Sequence, residues 1–353
     1  MHTPLRHVRS SFSRKKPIHL TLFVTSRCNA RCPFCFYEKA RDEKSAVPEL
    51  SLDEIRRVAS SMGDLLWVLF SGGEIFLRDD LPDIAQVFHD ANRAAFLTLP
   101  TNGLLPETIA ARTEQILERC PASVVVVKLS LDGVGERHDA VREVPGGFEK
   151  LMRTYALLAN LARKHANLEL GVNTLFCSAN QWQMDEIAAF VRTLGAVRSH
   201  TVTMVRGNLM RPHYKDVDLD EYLRAGRQLR SRHRFRGAGV KAAIDRLQRR
   251  LIHRTLQQER RVVACQAGRL NLVLTERGQL HPCEERWDLS FGNVRDAGYD
   301  VAKMLRTAQA DRILREIAAG ACHCSHECNF LTNILFNPAA LLTNAARELR
   351  RSA

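Results

Sequence analysis

Three cysteines within eight residues constrain this chain more than any other feature of its sequence. Cys28, Cys32 and Cys35 are spaced C-x-x-x-C-x-x-C and follow an apolar run, residues 18–24, that is typical of a buried strand. Thiolates this close together can converge on one soft metal centre. A structural zinc site normally takes a fourth local ligand, and none follows here. Three cysteines on a four-iron cluster leave one iron open to a substrate or cofactor; a zinc site completed from far away and three unrelated buried thiols are the alternatives.

The first two hundred residues alternate between strand and helix patterns. Such alternation predicts parallel strands covered by helices, and therefore an α/β fold with a partial (β/α)6 TIM-type barrel. The predicted strands cover residues 18–24, 65–70, 95–99, 124–131, 168–175 and 200–205, and the predicted helices between them cover residues 52–61, 81–93, 107–118, 148–164 and 184–194.

Polar or glycine-rich residues follow five of these strands in succession. Active sites of parallel barrels lie at the carboxyl ends of the strands, so the sequence predicts one shared site there. Two adjacent glycines let the backbone approach a ligand closely and offer amide groups to it. The residues at these strand ends are Cys28, then Gly72, Gly73 and Glu74, then Thr101, Asn102 and Gly103, then Ser130 and Asp132, and finally Asn173 and Cys177.

The first cysteine motif, including the aromatic Phe34 before its last cysteine, resembles that of the radical S-adenosylmethionine (radical SAM) enzymes. The resemblance implies that Cys28, Cys32 and Cys35 hold a 4Fe–4S cluster whose open iron is chelated by S-adenosylmethionine (SAM). An electron from the reduced cluster then cleaves SAM, and the resulting 5′-deoxyadenosyl radical abstracts hydrogen from a substrate C–H bond. The protein supplies binding, orientation and exclusion of water.

The same resemblance assigns Gly72, Gly73 and Glu74 to the methionyl amine of SAM and places residues 101–103 near its adenosyl group. Ser130 is a candidate contact of the cofactor carboxylate, and Asp132 of a ribose or substrate, unless both cap the next helix.

Three further side chains are candidates for a role at the cofactor or substrate, and two of them have a structural alternative. Arg142 can pair with the cofactor carboxylate as a planar fork, or it is an ordinary surface arginine. Asn173 is a candidate contact of the ribose. Cys177 can return a hydrogen atom to a substrate radical, or it is a buried inert thiol.

Five more cysteines lie between residues 265 and 328, which predicts a second metal centre in a small domain. Cys265 and Cys283 stand at the two bases of a predicted hairpin. A helical run at 300–319 then returns the chain to Cys322, Cys324 and Cys328. The spacing C-x12-G-x4-C followed by C-x3-C resembles the SPASM and twitch auxiliary-cluster domains.

The full SPASM pattern has seven cysteines, so this resemblance implies one auxiliary Fe–S cluster rather than two. Its expected ligands are Cys265, Cys283, Cys328 and Cys324, with Cys322 as the alternative to Cys324. Zinc is the competing interpretation, with His281, His323 or His326 among its ligands.

The net charge of +13 is concentrated between residues 206 and 261, where sixteen Lys or Arg face six Asp or Glu. The excess favours an anionic substrate, peptide or membrane surface; the alternative is a pair of solvated basic helices, expected at 219–236 and 240–258. The predicted units are a basic tail 1–17, the barrel 18–205, a basic helical linker 206–262, the auxiliary domain 263–330 and a C-terminal helix 331–353.

Neither a transmembrane helix nor a secretory signal is recognised, and ten cysteines without a disulfide pattern favour a cytoplasmic protein. The last segment is expected to dock on the barrel, with contact to a membrane surface as the second option. Phosphate-loop and dinucleotide-binding motifs are not found.

These features predict a radical SAM enzyme acting on an anionic natural-product-type substrate: a small molecule, a lipid-linked compound or a peptide, with the peptide disfavoured by the lack of a recognisable leader-binding domain. A low-potential reductant such as flavodoxin or ferredoxin is implied. RNA or cofactor modification by the same chemistry is an alternative, although the basic stretch lacks interleaved aromatics for base stacking. A non-catalytic electron carrier or zinc protein is a third.

Overall fold

The computed structural model describes residues 2–7, 16–37, 47–229, 238–320 and 322–337. Within these ranges a single sheet of nine strands runs in the order β6-β5-β4-β3-β2-β1-β7-β8-β9. The strands are β1 His19–Thr25, β2 Trp67–Gly72, β3 Phe96–Thr101, β4 Val124–Ser130, β5 Leu168–Phe176, β6 Val197–Met204, β7 Asn271–Leu274, β8 Gln279–His281 and β9 Gly292–Asn293.

Strands β1 to β6 pair in parallel with their neighbours in sequence order, and helices connect them. This arrangement confirms the predicted partial barrel. The helices are α1 Leu52–Ser61, α2 Leu81–Asn92, α3 Pro106–Arg119, α4 Glu136–Arg142, α5 Gly147–Lys164, α6 Met184–Thr193, α7 Leu219–Gln228, α8 Ala238–Gln257, α9 Val301–Met304, α10 Ala308–Ala319 and α11 Glu327–Leu335.

Side chains alternate between the two faces of the barrel wall, as period-two strands require. On β4, Val125, Val127 and Leu129 are buried in the hydrophobic core with apolar residues of the helices. Lys128 lies on the opposite face and reaches over Gly171 of β5 to Ser199 of β6, with 2.8 Å between Lys128 Nζ and Ser199 Oγ. The inner face of this half of the barrel is therefore polar.

The cysteine-rich region is built onto the edge of the barrel sheet. Strand β7 pairs in parallel with β1, with Thr21 opposite Val273. The predicted hairpin is present as β7 and β8, which pair antiparallel. Sequence patterns predicted the hairpin but not its parallel pairing with β1, because the pairing joins residues about 250 positions apart.

Several predicted boundaries change. The run at 300–319 forms two helices, α9 and α10, because the Asp300 and Thr307 side chains each cap a separate helix. The helix predicted at 331–353 begins earlier, as α11, and residues 338–353 lie outside the described ranges. Helix α7 ends at Gln228; residues 230–237, in the basic segment, are also outside them.

Part of the predicted basic tail packs against the barrel. The His2 amide donates to the Ala122 carbonyl at 2.6 Å, and His7 is buried. Residues 8–15 are not among the described ones. Within the described ranges no helix is both long and apolar enough to cross a membrane.

Arg78 holds the end of β1 to the start of α2. Its guanidinium is buried and donates to the carbonyl oxygens of Val24 and Leu50, each at 2.7 Å. It also forms an ion pair with Asp80 at 2.7 Å. The two carbonyl groups depend on this side chain, because buried backbone acceptors need a partner.

Replacing Arg78 with methionine is expected to lower the free energy of unfolding by about 2–4 kcal/mol, since two buried carbonyl groups lose their donor. Denaturant unfolding of the purified protein measures this. The control is Arg56→Met, which removes an exposed ion pair with Asp53 and should change stability by less than about 0.5 kcal/mol. Equal effects of the two variants would contradict the role given to Arg78.

Candidate metal and cofactor site

The loop that carries Cys28 begins at a fixed turn after β1. Glu49 Oε1 accepts hydrogen bonds from the Thr25 hydroxyl at 2.9 Å, the Ser26 amide at 2.7 Å and the Ser26 hydroxyl at 3.2 Å. A carboxylate with three donors holds the backbone direction at this point. The first cysteine of the motif therefore leaves the sheet at a defined angle.

Gly72 and Gly73 pack directly against this loop. A Cβ atom on Gly72 would lie 2.3 Å from the Thr25 carbonyl oxygen, and one on Gly73 would lie 2.0 Å from the Arg27 carbonyl oxygen. The Gly73 and Glu74 amides donate to these two carbonyls at 2.8 and 2.9 Å. Of the two glycine amides expected to bind a ligand, that of Gly73 is therefore already engaged by the Thr25 carbonyl.

The Glu74 side chain ties the loop after β2 to the loop after β3. Its carboxylate accepts from the Thr101 hydroxyl at 2.9 Å, the Asn102 amide at 2.7 Å and the Phe76 amide at 3.3 Å. Burial raises the pKa of Glu74 to about 7, although these three hydrogen bonds act in the opposite direction. Glu74 is thus a buried support beneath the site.

Asn102 extends from this support to the cysteine motif. Its side-chain amide donates to Asn29 Oδ1 at 2.8 Å, and its Nδ2 atom lies 3.9 Å from Cys28 Sγ. A hydrogen bond to a ligating sulfur adjusts the electronic properties of a metal group. The loop after β3 therefore approaches the sulfur atom of Cys28.

The three cysteines of the motif lie in an apolar pocket. Cys32 is buried, Cys28 and Cys35 are half-buried, and the Cys35 amide donates to the Cys32 carbonyl at 3.0 Å. Phe34 packs edge-on to Tyr214, with ring centroids 6.0 Å apart. The aromatic residue of the motif therefore shields the thiols rather than pointing into solvent.

The donor set of this pocket fits a large iron–sulfur group. In the described part of the chain, no three His, Cys, Asp or Glu side chains converge closely enough to hold a single metal ion. A zinc ion requires its donors within about 2.0–2.3 Å of one point. Three thiols on a short loop, packed with an apolar cluster, match the donors of three corners of a 4Fe–4S cluster.

Arg142 lies beside these thiols. It is buried, its Nη1 donates to Asp132 Oδ2 at 2.7 Å, and its guanidinium carbon is 5.8 Å from the Phe34 ring centroid. Burial raises the pKa of the Cys32 thiol, and the positive charge of Arg142 opposes that shift. The interpretation of Arg142 as a surface arginine is wrong.

Asp132 is fully engaged within the protein. Oδ1 accepts from the Leu175 amide at 2.7 Å, and Oδ2 accepts from Arg142. Burial raises the pKa of Asp132, while Arg142 lowers it. The helix-capping alternative is wrong for both Ser130 and Asp132, because the residue at the start of α4 is Gly135. Asp132 therefore orients Arg142. Both of its oxygens are already used for hydrogen bonds within the protein.

Ser130 and Asn173 lie side by side at the ends of β4 and β5. The Asn173 side-chain amide donates to the Thr203 hydroxyl on β6 at 3.2 Å. Both residues are on the inner face, at the level expected for cofactor contacts.

Cys177 is placed differently from the expected hydrogen donor. Its thiol is completely buried, lies 3.5 Å from Asn180 Oδ1, and has a pKa raised to about 12 by burial. The thiol is therefore protonated but enclosed, as the inert alternative expects.

The second cysteine group also comes together. The thiolate charges of Cys265 and Cys324 each raise the pKa of Cys283, after the larger effect of burial. Burial is the main cause that raises the pKa of Cys324 to about 12, and the charges of Cys265 and Cys322 act in the same direction. Arg261 Nη2 lies 3.0 Å from Cys322 Sγ. Cys322 is thus close to the expected ligands, while Cys328 lies in the first turn of α11.

Sequence reasoning missed the charged residues next to these cysteines. Arg206 forms ion pairs with Glu284, Glu285 and Glu327. One feature of the sequence indicated these charges: Glu284 directly follows Cys283, and Glu327 directly precedes Cys328. Carboxylates beside buried ligands require a counter-charge, but the sequence does not say which arginine supplies it.

Comparison with known proteins identifies the barrel. The model of the Radical SAM superfamily matches residues 22–191. Among curated proteins, the chain is 26% identical over 327 residues to the antilisterial bacteriocin subtilosin biosynthesis protein AlbA of Bacillus subtilis, covering 88% of this chain and 66% of AlbA.

Two other curated relatives match over about half of the chain. It is 30% identical over 189 residues to the AdoMet-dependent heme synthase of Methanosarcina barkeri, covering 52% of this chain and 49% of the synthase. It is 28% identical over 184 residues to the PqqA peptide cyclase of Bradyrhizobium diazoefficiens, covering 52% of this chain and 45% of the cyclase. The chain thus spans about half to two-thirds of the length of these relatives.

A solved structure has the same fold. Native anSMEcpe with bound AdoMet has a TM-score of 0.59 at 17% identity, covering 94% of this chain and all of that chain. A domain of this kind implies a 4Fe–4S cluster and SAM as cofactors, and SPASM-type relatives carry auxiliary clusters. The cysteine motif, the parallel barrel and these matches agree, and residues 22–191 form a Radical SAM domain.

Proposed function

We propose that this protein is a radical SAM enzyme with one auxiliary Fe–S cluster that activates a C–H bond of a peptide natural product. The match to AlbA carries this proposal. An alignment over 88% of the chain extends well beyond the barrel into the cysteine-rich region, whereas a shared barrel alone would be compatible with many reactions.

Different residues of the first site bind the cluster and enclose it. Cys28, Cys32 and Cys35 hold the 4Fe–4S cluster. When bound there with SAM, this group supplies the electron and the radical that begin the reaction. The chain itself encloses the site with Phe34 and excludes water from it.

The strand ends orient SAM. Carbonyl groups of Gly72 and Gly73 are suited to its amine, because an amine donates; the Glu74 carbonyl already accepts from the Leu77 amide at 3.0 Å. Arg142 and Ser130 are placed for its carboxylate, and Asn173 is placed for its ribose. Asp132 holds the Arg142 fork in a fixed direction.

The second cysteine group holds the auxiliary cluster through Cys265, Cys283 and Cys328, with Cys324 or Cys322 as the fourth ligand. A fully ligated cluster can accept an electron from the substrate radical or relay one to the first site. Oxidation of a peptide radical needs such an acceptor.

A tetrapyrrole is the second candidate substrate. The AdoMet-dependent heme synthase match supports it, and an anionic macrocycle agrees with the excess of basic residues. The peptide is favoured because the longer alignment is with AlbA. Incubation with SAM and reductant, followed by mass spectrometry of candidate peptides and porphyrins, separates the two.

A cleft next to Cys265 is the proposed docking surface for an acidic electron carrier such as flavodoxin or ferredoxin. The cleft has a volume of about 700 Å³ and is lined by Arg260, Arg261, Arg269 and Cys265. Arg260 and Arg269 are exposed, so their charges attract an acidic protein. The half-buried Cys265 brings the auxiliary site near the surface at this point.

Replacing Cys28 with alanine is expected to abolish 5′-deoxyadenosine formation from SAM with dithionite, since the cluster loses one of three ligands. The iron content should fall by about four atoms per chain, the size of one 4Fe–4S cluster. Cys120→Ala is the control, because Cys120 is buried at the end of α3 away from both groups. Normal 5′-deoxyadenosine production by the Cys28 variant would refute the ligand assignment.

Replacing Arg142 with methionine is expected to weaken SAM binding by about ten- to hundred-fold, since a charge-assisted hydrogen bond contributes about 1.5–3 kcal/mol. Calorimetric titration of the reconstituted protein measures the affinity. The double variant Arg142→Met with Asp132→Asn removes the unpaired carboxylate and should recover stability without recovering affinity. Full recovery of affinity would mean that Arg142 acts only on folding.

Reversing two charges at the cleft, Arg260→Glu with Arg269→Glu, is expected to raise the KM for an acidic flavodoxin about tenfold and to reduce its salt dependence. Turnover with dithionite should be unchanged, because a small reductant needs no docking surface. The control reverses two exposed arginines elsewhere, Arg163 on α5 and Arg192 on α6. An unchanged KM, or equal loss with dithionite, would contradict the docking site.

A further inference from the structure

Arg206 lies just beyond β6, where the barrel meets the cysteine-rich region. Only 17% of its side chain is exposed. Its Nη2 is 2.8 Å from Glu284 Oε2, its Nε is 3.2 Å from Glu285 Oε1, and its Nη1 is 3.4 Å from Glu327 Oε2. Each guanidinium nitrogen therefore faces a different carboxylate.

These three carboxylates belong to the two segments that carry auxiliary cysteines. Glu284 and Glu285 directly follow Cys283, and Glu327 directly precedes Cys328. One cation thus holds segments that are separated by more than forty residues in the chain.

The same carboxylates are attached to the barrel and to the rest of the cysteine-rich region. Glu327 Oε1 accepts from the Met204 amide on β6 at 2.8 Å, and Glu284 Oε2 lies 2.8 Å from His326 Nε2. The Arg206 guanidinium carbon is also 5.4 Å from the ring centroid of Phe36. Since Phe36 follows Cys35, this side chain contacts the neighbours of both cysteine groups.

Arg206 also contributes a positive charge next to the auxiliary cysteine segments. Three carboxylates face one guanidinium, and Arg206 is the cation that pairs with all three. Glu284 and Glu285 are one and two residues from Cys283, and Glu327 is one residue from Cys328, so these charges lie next to the cysteine-bearing segments. A positive charge nearby favours the reduced form of an iron–sulfur cluster, and a negative charge disfavours it.

We propose that Arg206 is a positioning residue for the auxiliary site, which fixes the two cysteine-bearing segments to the end of β6 and raises the reduction potential of the cluster they hold. This inference rests on the proposed auxiliary cluster. A lysine can replace the charge but not the three-way geometry, because an ammonium group has no planar fork.

Reduction potentials of both clusters, followed by electron paramagnetic resonance in an anaerobic titration of the holoenzyme, test this. Arg206→Gln should shift the auxiliary potential to more negative values, and by more than it shifts the potential of the first cluster, because the three carboxylates flank the auxiliary cysteines. Glu285→Gln should shift the auxiliary potential in the opposite direction. Arg206→Lys should restore most of the potential, because the charge returns. A purely structural role predicts no such pair of opposite shifts.

Arg295→Gln is the matched control. Arg295 also ties the cysteine-rich region to the barrel, through Glu54 on α1 at 2.6 Å, but none of the ten cysteines is within ten residues of it in sequence. It should leave both potentials unchanged. Hydrogen exchange of the cluster-free protein gives a second readout: the Met204 amide should exchange faster in Arg206→Gln than in Arg206→Lys.

The outcomes separate this inference from the proposed function. If iron and sulfide analysis gives only one cluster per wild-type chain, the auxiliary cluster itself is wrong. If two clusters are present and Arg206→Gln, Glu285→Gln and wild type share one auxiliary potential, the role of Arg206 is overturned. Similar shifts in Arg206→Gln and Arg295→Gln would also overturn it, because they would reflect detachment of the region rather than the charge.

Discussion

Strand β1 is hydrogen-bonded along both of its edges, and the placement of both cysteine groups depends on that pairing. On one edge it joins β2 and the barrel, and on the other it joins β7 of the cysteine-rich hairpin. The chain leaves β1 directly into the motif of Cys28. Movement of this strand would therefore displace the first group relative to the second.

Backbone contacts and buried charges hold the loops of the site. Gly72 at the end of β2 and Gly73 after it lie against the carbonyl groups of Thr25 and Arg27, so no side chain can replace them without displacing this segment. Glu74 joins the loops after β2 and β3, and Glu49 fixes the turn before Cys28. These groups hold the loop that carries the first cysteines in a fixed position.

Sequence patterns predicted much of this architecture for a clear reason. Alternating apolar residues and the cysteine spacing are local signals. The first was sufficient to predict the barrel, and the second was sufficient to predict the family. The same signals gave a less complete account of the site. Gly72 and Gly73 were expected to offer amides to a ligand, but the Gly73 amide donates to the Thr25 carbonyl instead. Asp132 was a candidate cofactor contact, yet both of its oxygens are used within the protein. Local sequence cannot show which partner a donor or acceptor finds.

The sequence by itself determined the order of strands and helices, the three-thiol motif and the presence of a second group of cysteines. Each of these features depends on residues that are close together along the chain. Only the tertiary structure decided that β7 joins β1, that Arg142 lies beside Cys32, and that Arg206 meets three carboxylates next to the second group. These contacts join distant residues whose charge and hydrogen-bonding groups must be satisfied once they are buried. Many arginines in a chain of this composition could supply such a charge, and the fold selects which one does.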